Sequence, residues 1–380
     1  MAVGLAGAVA PATMPVTTRT TFDTIDAGRW DELVGSMPRP TPFLLHGWIV
    51  PWWRHYGAGR ELAIHVSLAE GRLVAALPLM VGATCPGAPV ARFVGAPDST
   101  LADIVAPAET DECTLHRLLD GAVAEHRLLD LYSLAPDGHL ASILPARCLR
   151  TRTRAAVMDM RDGWEDVFAR KTSRGRRALY RRRWRQLRAA GSVELSVASE
   201  ERDVAPALED AFRVHALRWR GRPDVSTFAD EGGREFNRAA LAALARSGCV
   251  RMVTLRVAGA PVAFTCSLHT GGRMFLYRLA FDPRYSRCSP GILVTLEAIR
   301  LAAEEGATHV EFLRGTERYK TELGDRCDVL SEAVVARGGR AQVAKALVNG
   351  GTRADRTMVA GRRAGRQLVR ALAFRSAHNG

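Results

Sequence analysis

Two short stretches of this 380-residue chain return later at nearly the same offset, and that repetition limits the folds open to it. Gly71-Arg72-Leu73-Val74-Ala75 resembles Gly259-Ala260-Pro261-Val262-Ala263. Leu128-Leu129-Asp130-Leu131 resembles His309-Val310-Glu311-Phe312. The spacing from Gly71 to Gly259 is almost that from Leu128 to His309, so the two echoes keep register with each other. The order of elements around the echoes also repeats. In the first half, "ELAIHVSLAEGRLVAALPLMV" reads as two strands turning at Glu70-Gly71, and "VARFVG" and "ADIVAP" as a further strand pair. A helix near Glu112 to His126 and the strand "LLDLYSL" follow. In the second half, residues 250–281 read as a three-strand meander with turns at Ala258-Gly259 and Gly271-Gly272. A helix from Pro290 to Glu305 and the strand "THVEFL" follow. The shared order predicts an α/β (α+β) chain of two tandem copies of one βαβ unit. Ahead of the first copy, Ile25 to Met37 reads as a helix, and Thr41 to Gly57 as a helix kinked at Pro51.

Charge is concentrated rather than spread. The net charge is +13, yet Arg170 to Arg188 alone carries ten basic residues and no acidic one. The tail from Gly338 to Gly380 carries nine basic residues and one acidic one. These two stretches exceed the total, so the remaining body is mildly acidic and the protein is not a uniformly basic nucleic-acid coat. Tyr180, Trp184 and Leu187 form an apolar stripe on the basic helix, which predicts that it packs on the body with its arginines outward and ends at Gly191. Three roles stay open for it: a solvated charged face, an arm that neutralises an anionic substrate (CoA phosphates, a phosphorylated sugar or tRNA), or a DNA reader. No small groove-reading module accompanies it.

The seven cysteines are scattered, odd in number and form no C-x-x-C pair. That argues against a thiolate zinc site and a disulfide framework, and suits a reducing cytosol, so a cytoplasmic protein is expected. No apolar run approaches the roughly 20 residues of a membrane helix. The apolar opening "MAVGLAGAVAPAT" lacks a leading basic segment and reads as a disordered start rather than a signal peptide. No P-loop, H-E-x-x-H or G-x-S-x-G motif is present, which leaves nucleotide hydrolysis, zinc proteolysis and serine hydrolysis without support.

The most informative stretch is "FDPRYSRCSPGILVTLEAIRLAAEEG". Ser289 suits an N-cap and Pro290 the first helical position. Ile292, Leu296, Ile299 and Ala303 follow helical spacing, and Gly306 suits a stop. A strand, a loop bearing Arg284 and Arg287, and a helix N-terminus together make an anion site. The competing reading is a well-capped core helix with surface arginines.

A meander, a phosphate-cradling turn, a helix and a strand resemble the core of the GNAT acyltransferases. "FRVHALRWRGR", "AFDPRYSRCSPG" and "EFLRGTERYK" resemble the bacterial GNAT group of cellulose-biosynthesis loci and its relatives, the Fem-type aminoacyltransferases. The resemblance covers about residues 41–336 and implies two GNAT-like copies with an inserted basic helical arm. The boundaries expected are a disordered start (1–20), a first domain (21–160), the arm (161–192), a second, catalytic domain (193–337) and the basic tail (338–380). The pyrophosphate turn departs from R/Q-x-x-G-x-G/A, because Arg287 is followed by Cys288-Ser289-Pro290-Gly291 and the first glycine falls one place late. The implied activity is metal-free N-acyl transfer from acetyl-CoA or another acyl-CoA to a small-molecule or anionic amine. The alternatives are aminoacyl-tRNA as donor, and a nucleic-acid-binding regulator.

The resemblance implies that Arg284, Arg287, Ser289, Gly291 and Arg314 hold the donor. It also places Lys320 toward the reacting centre, with Tyr319 packing behind it; a surface ion pair with Glu317 or Glu322 is the other reading. Glu311 and Glu317 flank the last strand, and either is a candidate general base. His215 continues the helical stripe Leu208, Phe212, His215, Trp219, as a packed histidine or as a base. Asp103 falls near the implied acceptor cleft of the first copy, where a capping role competes.

Overall fold

The structure is a computed structural model that describes residues 16–19, 21–85, 88–221 and 226–339. The expected disordered start up to residue 15 and the basic tail beyond residue 339 lie outside the described residues. The first half runs β1 (Val16–Arg19), α1 (Ala27–Gly35), α2 (His46–Tyr56), β2 (Glu61–Ala69), β3 (Arg72–Cys85) and β4 (Ala88–Phe93). It continues with α3 (Glu112–His126), β5 (Leu128–Leu134), α4 (His139–Ile143) and β6 (Leu149–Asp159). The arm follows as α5 (Trp164–Lys171) and α6 (Arg174–Ala189). The second half runs β7 (Val193–Ala198), α7 (Glu201–Trp219), α8 (Glu231–Arg246), β8 (Val250–Val257), β9 (Ala260–Thr270) and β10 (Arg273–Phe281). It ends with α9 (Pro290–Glu304), β11 (His309–Arg314), α10 (Arg318–Leu323) and β12 (Arg326–Ala336).

All twelve strands form one sheet, in the order β1-β2-β3-β4-β5-β12-β6-β11-β10-β9-β8-β7. The repeat is visible in it. Each half is an antiparallel meander, a crossover helix (α3 or α9) and a strand that returns parallel to the meander's last member. The meander turns fall where the sequence puts them, because Glu70-Gly71, Ala258-Gly259 and Gly271-Gly272 all adopt positive φ, the conformation a tight hairpin requires.

The final strands are exchanged. β6 follows β5 in the chain but pairs with β11 and β12, while β12 follows β11 and pairs with β5. Each half thus places one strand inside the other's territory. Aromatic packing joins the halves as well. Trp48 of α2 meets Phe236 of α8 at 5.0 Å and Tyr277 of β10 at 5.2 Å between ring centres, within one continuous buried cluster.

Two expectations are corrected. "ADIVAP" is no strand; only Val105 bridges to Ala76, with reciprocal 2.8 Å hydrogen bonds. The Asp103 carboxylate takes the backbone N–H of Ile104, His139 and Leu140, which turns this segment away from a ladder. The basic stretch is two helices, not one. It breaks at Thr172-Ser173, where the Ser173 hydroxyl caps α6 by accepting the Arg176 N–H.

Candidate active site

β10 and β11 pair only over Arg273 to Phe275 against His309 to Glu311, and then part. Both are irregular beyond that point. β10 shifts register between Leu276 and Arg278, and β11 between Glu311 and Arg314, with Leu313 at φ 58° and Gly315 at φ 114°. The bulges turn the two strands away from each other. A wedge opens between them, and α9 begins beside it.

The entrance to α9 leaves the positive pole of the helix open. A tight turn from Pro283 to Cys288 delivers the chain, and Ser289 adopts φ 47° and ψ 52°. Ser289 stands at the N-cap position but does not cap as expected: no side chain bonds the first turn of α9, and the Ser289 hydroxyl donates at 3.5 Å to the Ser286 carbonyl. That turn holds no acidic residue, so the positive end of the helix is neither capped nor neutralised. At Gly291 a Cβ would lie 3.0 Å from the Phe281 ring, so close packing of helix on strand requires glycine there.

The matching helix of the first half is the opposite case. Asp111 caps α3 through the Thr114 N–H, and Glu112 occupies the first turn. Two carboxylates at that position repel an anion. Arg92 of β4 and Asp130 of β5 are also tied at 2.7 Å. Of the two crossover helices, α3 is capped and carries acid in its first turn, whereas α9 has neither.

A cleft of about 480 Å³ lies between α6, α9 and α10. From α6 come Arg176, Tyr180 and Arg183; from α9, Ile292; from α10, Arg318, Tyr319 and Leu323. Arg176 and Arg318 share Glu322 as an ion-pair partner. The Arg183 Nε is buried with no hydrogen-bond partner. Burial, with Glu317 nearby, raises the Tyr319 phenol well above its ordinary value, so it stays protonated. The arm's apolar stripe does pack on the body: Leu187 and Tyr180 are buried against the second-half core and Trp184 rests on it.

The expected site residues separate into groups. Arg287 is exposed and has no ion pair among the described residues; Arg284 holds Asp282 at 2.6 Å. Lys320 does not face the cleft as expected. It is buried, and its Nζ donates to the Arg314 carbonyl at 2.7 Å and pairs with Glu317 at 3.0 Å, locking the turn from β11 into α10. Glu317 is more than half exposed. Glu311 is fully buried, accepting both Arg39 Nη2 bonds at 2.8 and 3.0 Å and one from Arg273 at 2.7 Å. With both oxygens enclosed by the guanidiniums of Arg39 and Arg273, Glu311 fastens β10 and β11 to the segment before α2. Asp103 likewise caps α4. His215 is buried against Phe228 and within 3.1 Å of the Ser226 hydroxyl, a packed histidine.

Arg314 does not reach the anion turn. It donates to the Pro97 carbonyl at 3.0 Å, on the seam between the halves. Burial lowers its guanidinium below the ordinary value, and Arg152 and Arg278 add to that. Arg278 sits 4.4 Å over the Tyr277 ring, and its Nε is buried without a partner. The sequence reading named Arg314 but not Arg152 or Arg278 beside it, and it missed Arg39 and Tyr319's place in the cleft. Each acts through partners that other elements of the fold supply, and no local pattern marks them.

Residues 174–321, from the arm through α10, match the acetyltransferase (GNAT) domain. The chain is thus a transferase enzyme of mixed α/β architecture with a GNAT fold. Among solved structures it is similar to FemX (TM-score 0.58, 11% identity, covering 81% of this chain and 96% of that one). It is similar to a conserved protein of unknown function from Bacteroides thetaiotaomicron VPI-5482 (TM-score 0.54, 13% identity, 85% and 100% covered). It is also similar to L-PGS from Bacillus licheniformis (TM-score 0.51, 11% identity, 83% and 97% covered). At these identities the likeness is one of fold. No curated protein matches the chain. Among the described residues no helix is long and apolar enough to cross a membrane.

Proposed function

We propose that the protein is an N-acyltransferase that moves an acyl group from acyl-CoA to an amine by direct attack. The observation that carries this reading is the uncapped, acid-free N-terminus of α9 at the mouth of the parted β10 and β11, next to an arginine-lined cleft. The donor's phosphates lie at that helix end with Arg287 and Arg183, and its thioester enters the wedge. The unprotonated acceptor amine attacks the thioester carbonyl carbon, the C–S bond breaks, and the leaving thiolate takes the Tyr319 hydroxyl proton. A free thiol titrates near 8.5, below a phenol, so the residue must donate as the C–S bond breaks rather than after it. Glu317, exposed and close to Tyr319, receives the proton that the amine loses.

The acceptor approaches along the seam, where Arg152, Arg278 and Arg314 suit a carboxylate or phosphate on the amine substrate. Kinship with the cellulose-biosynthesis acetyltransferases and a cytoplasmic location belong to this same proposal. A second reading takes aminoacyl-tRNA as donor. It is favoured by the exposed Arg181 and Arg182, which extend positive charge from the cleft along α6. Incubating the full chain with acetyl-CoA and, separately, with charged tRNA in the presence of a pool of amines decides between them. Acetyl-CoA consumption that disappears in the Arg183→Gln, Arg287→Gln double variant supports the first reading. Deacylation of charged tRNA alone establishes the second.

A further inference from the structure

A third constellation lies away from this cleft, in the first half of the chain. His65 of β2 and His126, the last residue of α3, point their Nε2 atoms at each other across 3.0 Å. Glu125 closes the triangle, its Oε2 3.8 Å from His65 Nε2 and its Oε1 3.8 Å from His126 Nε2. His65 is buried, His126 nearly so, and Glu125 is close to half exposed, so the group has one side open to solvent.

We propose that His65, His126 and Glu125 bind a divalent transition cation of the zinc type, which fastens the end of α3 to β2. Tetrahedral zinc with bonds of about 2.0–2.1 Å holds its ligand atoms about 3.3 Å apart. The two nitrogens are already closer than that, and the carboxylate is half an ångström too far, a gap that one side-chain rotation of an exposed glutamate closes. A water on the open side completes the four ligands. The site also stands at the C-terminal end of α3, where the negative pole of the helix favours a cation.

A hydrogen bond between two imidazoles accounts for the shortest contact. It does not by itself bring a carboxylate oxygen near each ring. The cysteine distribution argues only against thiolate ligation, and this set contains none. It is also invisible in the sequence, because His65 and His126 are far apart in the chain and meet only when α3 packs across β2.

The test uses the full chain, stripped with a chelator and titrated with cobalt(II), whose visible bands report ligand geometry and type. Parent protein should take up one ion per chain with the intense bands of tetrahedral nitrogen–oxygen ligation, and Zn²⁺ should displace it. His126→Gln and Glu125→Gln alter residues near the surface and should keep the parent near-UV circular dichroism. Each should lower affinity by about 10²-fold or more, beyond the loss typical of a merely supporting group. His65→Asn, tested only if folded, should abolish binding. No uptake by the parent, leaving a histidine–histidine hydrogen bond only, would overturn the proposal. So would uptake that survives both surface substitutions, or bands of thiolate-to-cobalt charge transfer.

Discussion

Tyr319 and Lys320 are neighbours with opposite assignments. One lines the cleft, while the other is turned inward and consumed by Arg314 and Glu317. Tyr319→Phe removes a hydroxyl and little volume. Turnover with acetyl-CoA should fall by about 10²-fold while KM for the thioester changes little, because a proton donor acts only as the bond breaks. Steady-state kinetics with a thiol reagent checks this; a kcat within a few-fold of the parent removes Tyr319 from the mechanism. Lys320→Met should behave differently. It orphans the Arg314 carbonyl, so urea denaturation should show a loss of about 1–3 kcal/mol, with kcat per folded molecule within a few-fold of the parent. A hundredfold loss of turnover in a stable Lys320→Met protein would restore the ammonium to the reacting centre. At this scale the sequence identified chemistry by type and missed its direction. The word "ERYK" marks a functional turn, but which of its side chains looks inward depends on Leu313, Gly315 and the bulge before them.

The arm is the element that the sequence described best in composition and least well in arrangement. Its stripe of Tyr180, Trp184 and Leu187 packs as helical spacing predicts. Its charge is not uniformly free, however. Arg170 and Lys171 are held by Asp325, and Arg176 by Glu322. Arg181 and Arg182 face solvent, and Arg183 lines the cleft. These positions predict two kinds of response. Arg183→Gln should weaken acyl-CoA binding by calorimetry at every salt concentration, because a half-buried charge is poorly screened. Arg181→Gln with Arg182→Gln should weaken it only at low ionic strength, since the Debye length is about 8 Å at physiological salt. Equal salt dependence of the two variants would place Arg183 outside the binding site. The α3 and α9 helices make a related point. Both were legible as helices, and their boundaries follow from Asp111, Pro290 and Gly306. They differ in whether the first turn carries acid, which is legible too once the two are laid side by side. "ADIVAP", by contrast, has a strand's composition and lost that structure to Asp103, whose partners His139 and Leu140 come from α4, beyond the next helix and strand of the chain.

For the whole molecule, buried histidines add an acid-sensitive contribution, which Asp103, raised to about 6 by burial, opposes in part of the same range. Burial lowers His65 and His269 to about 4 from an ordinary 6.5. A histidine whose folded value is depressed stabilises the fold fully above the unfolded value, and that contribution is lost as pH falls from 6.5 toward 4. In chelator-treated protein the urea midpoint should therefore decline across that window, and His269→Gln should flatten the decline. A decline that His269→Gln leaves unchanged would mean that its imidazole is not held neutral. The duplication itself was legible in the echoes at Gly71 and Gly259, because hairpin turns impose their chemistry locally. The exchange of β6 and β12 was not, since partnership between strands from opposite halves of the chain leaves no trace in either strand's own alternation.

That exchange has a consequence for how such a chain can be divided or descended from. Cut after residue 160, the N-terminal piece carries a strand it cannot use and lacks the one that completes it; the C-terminal piece has the reverse deficit. Yet the two pieces hold complementary keys, so made separately and mixed they have a defined way to recognise each other. A chain shortened to either half would open a sheet edge where the other half's strand now sits.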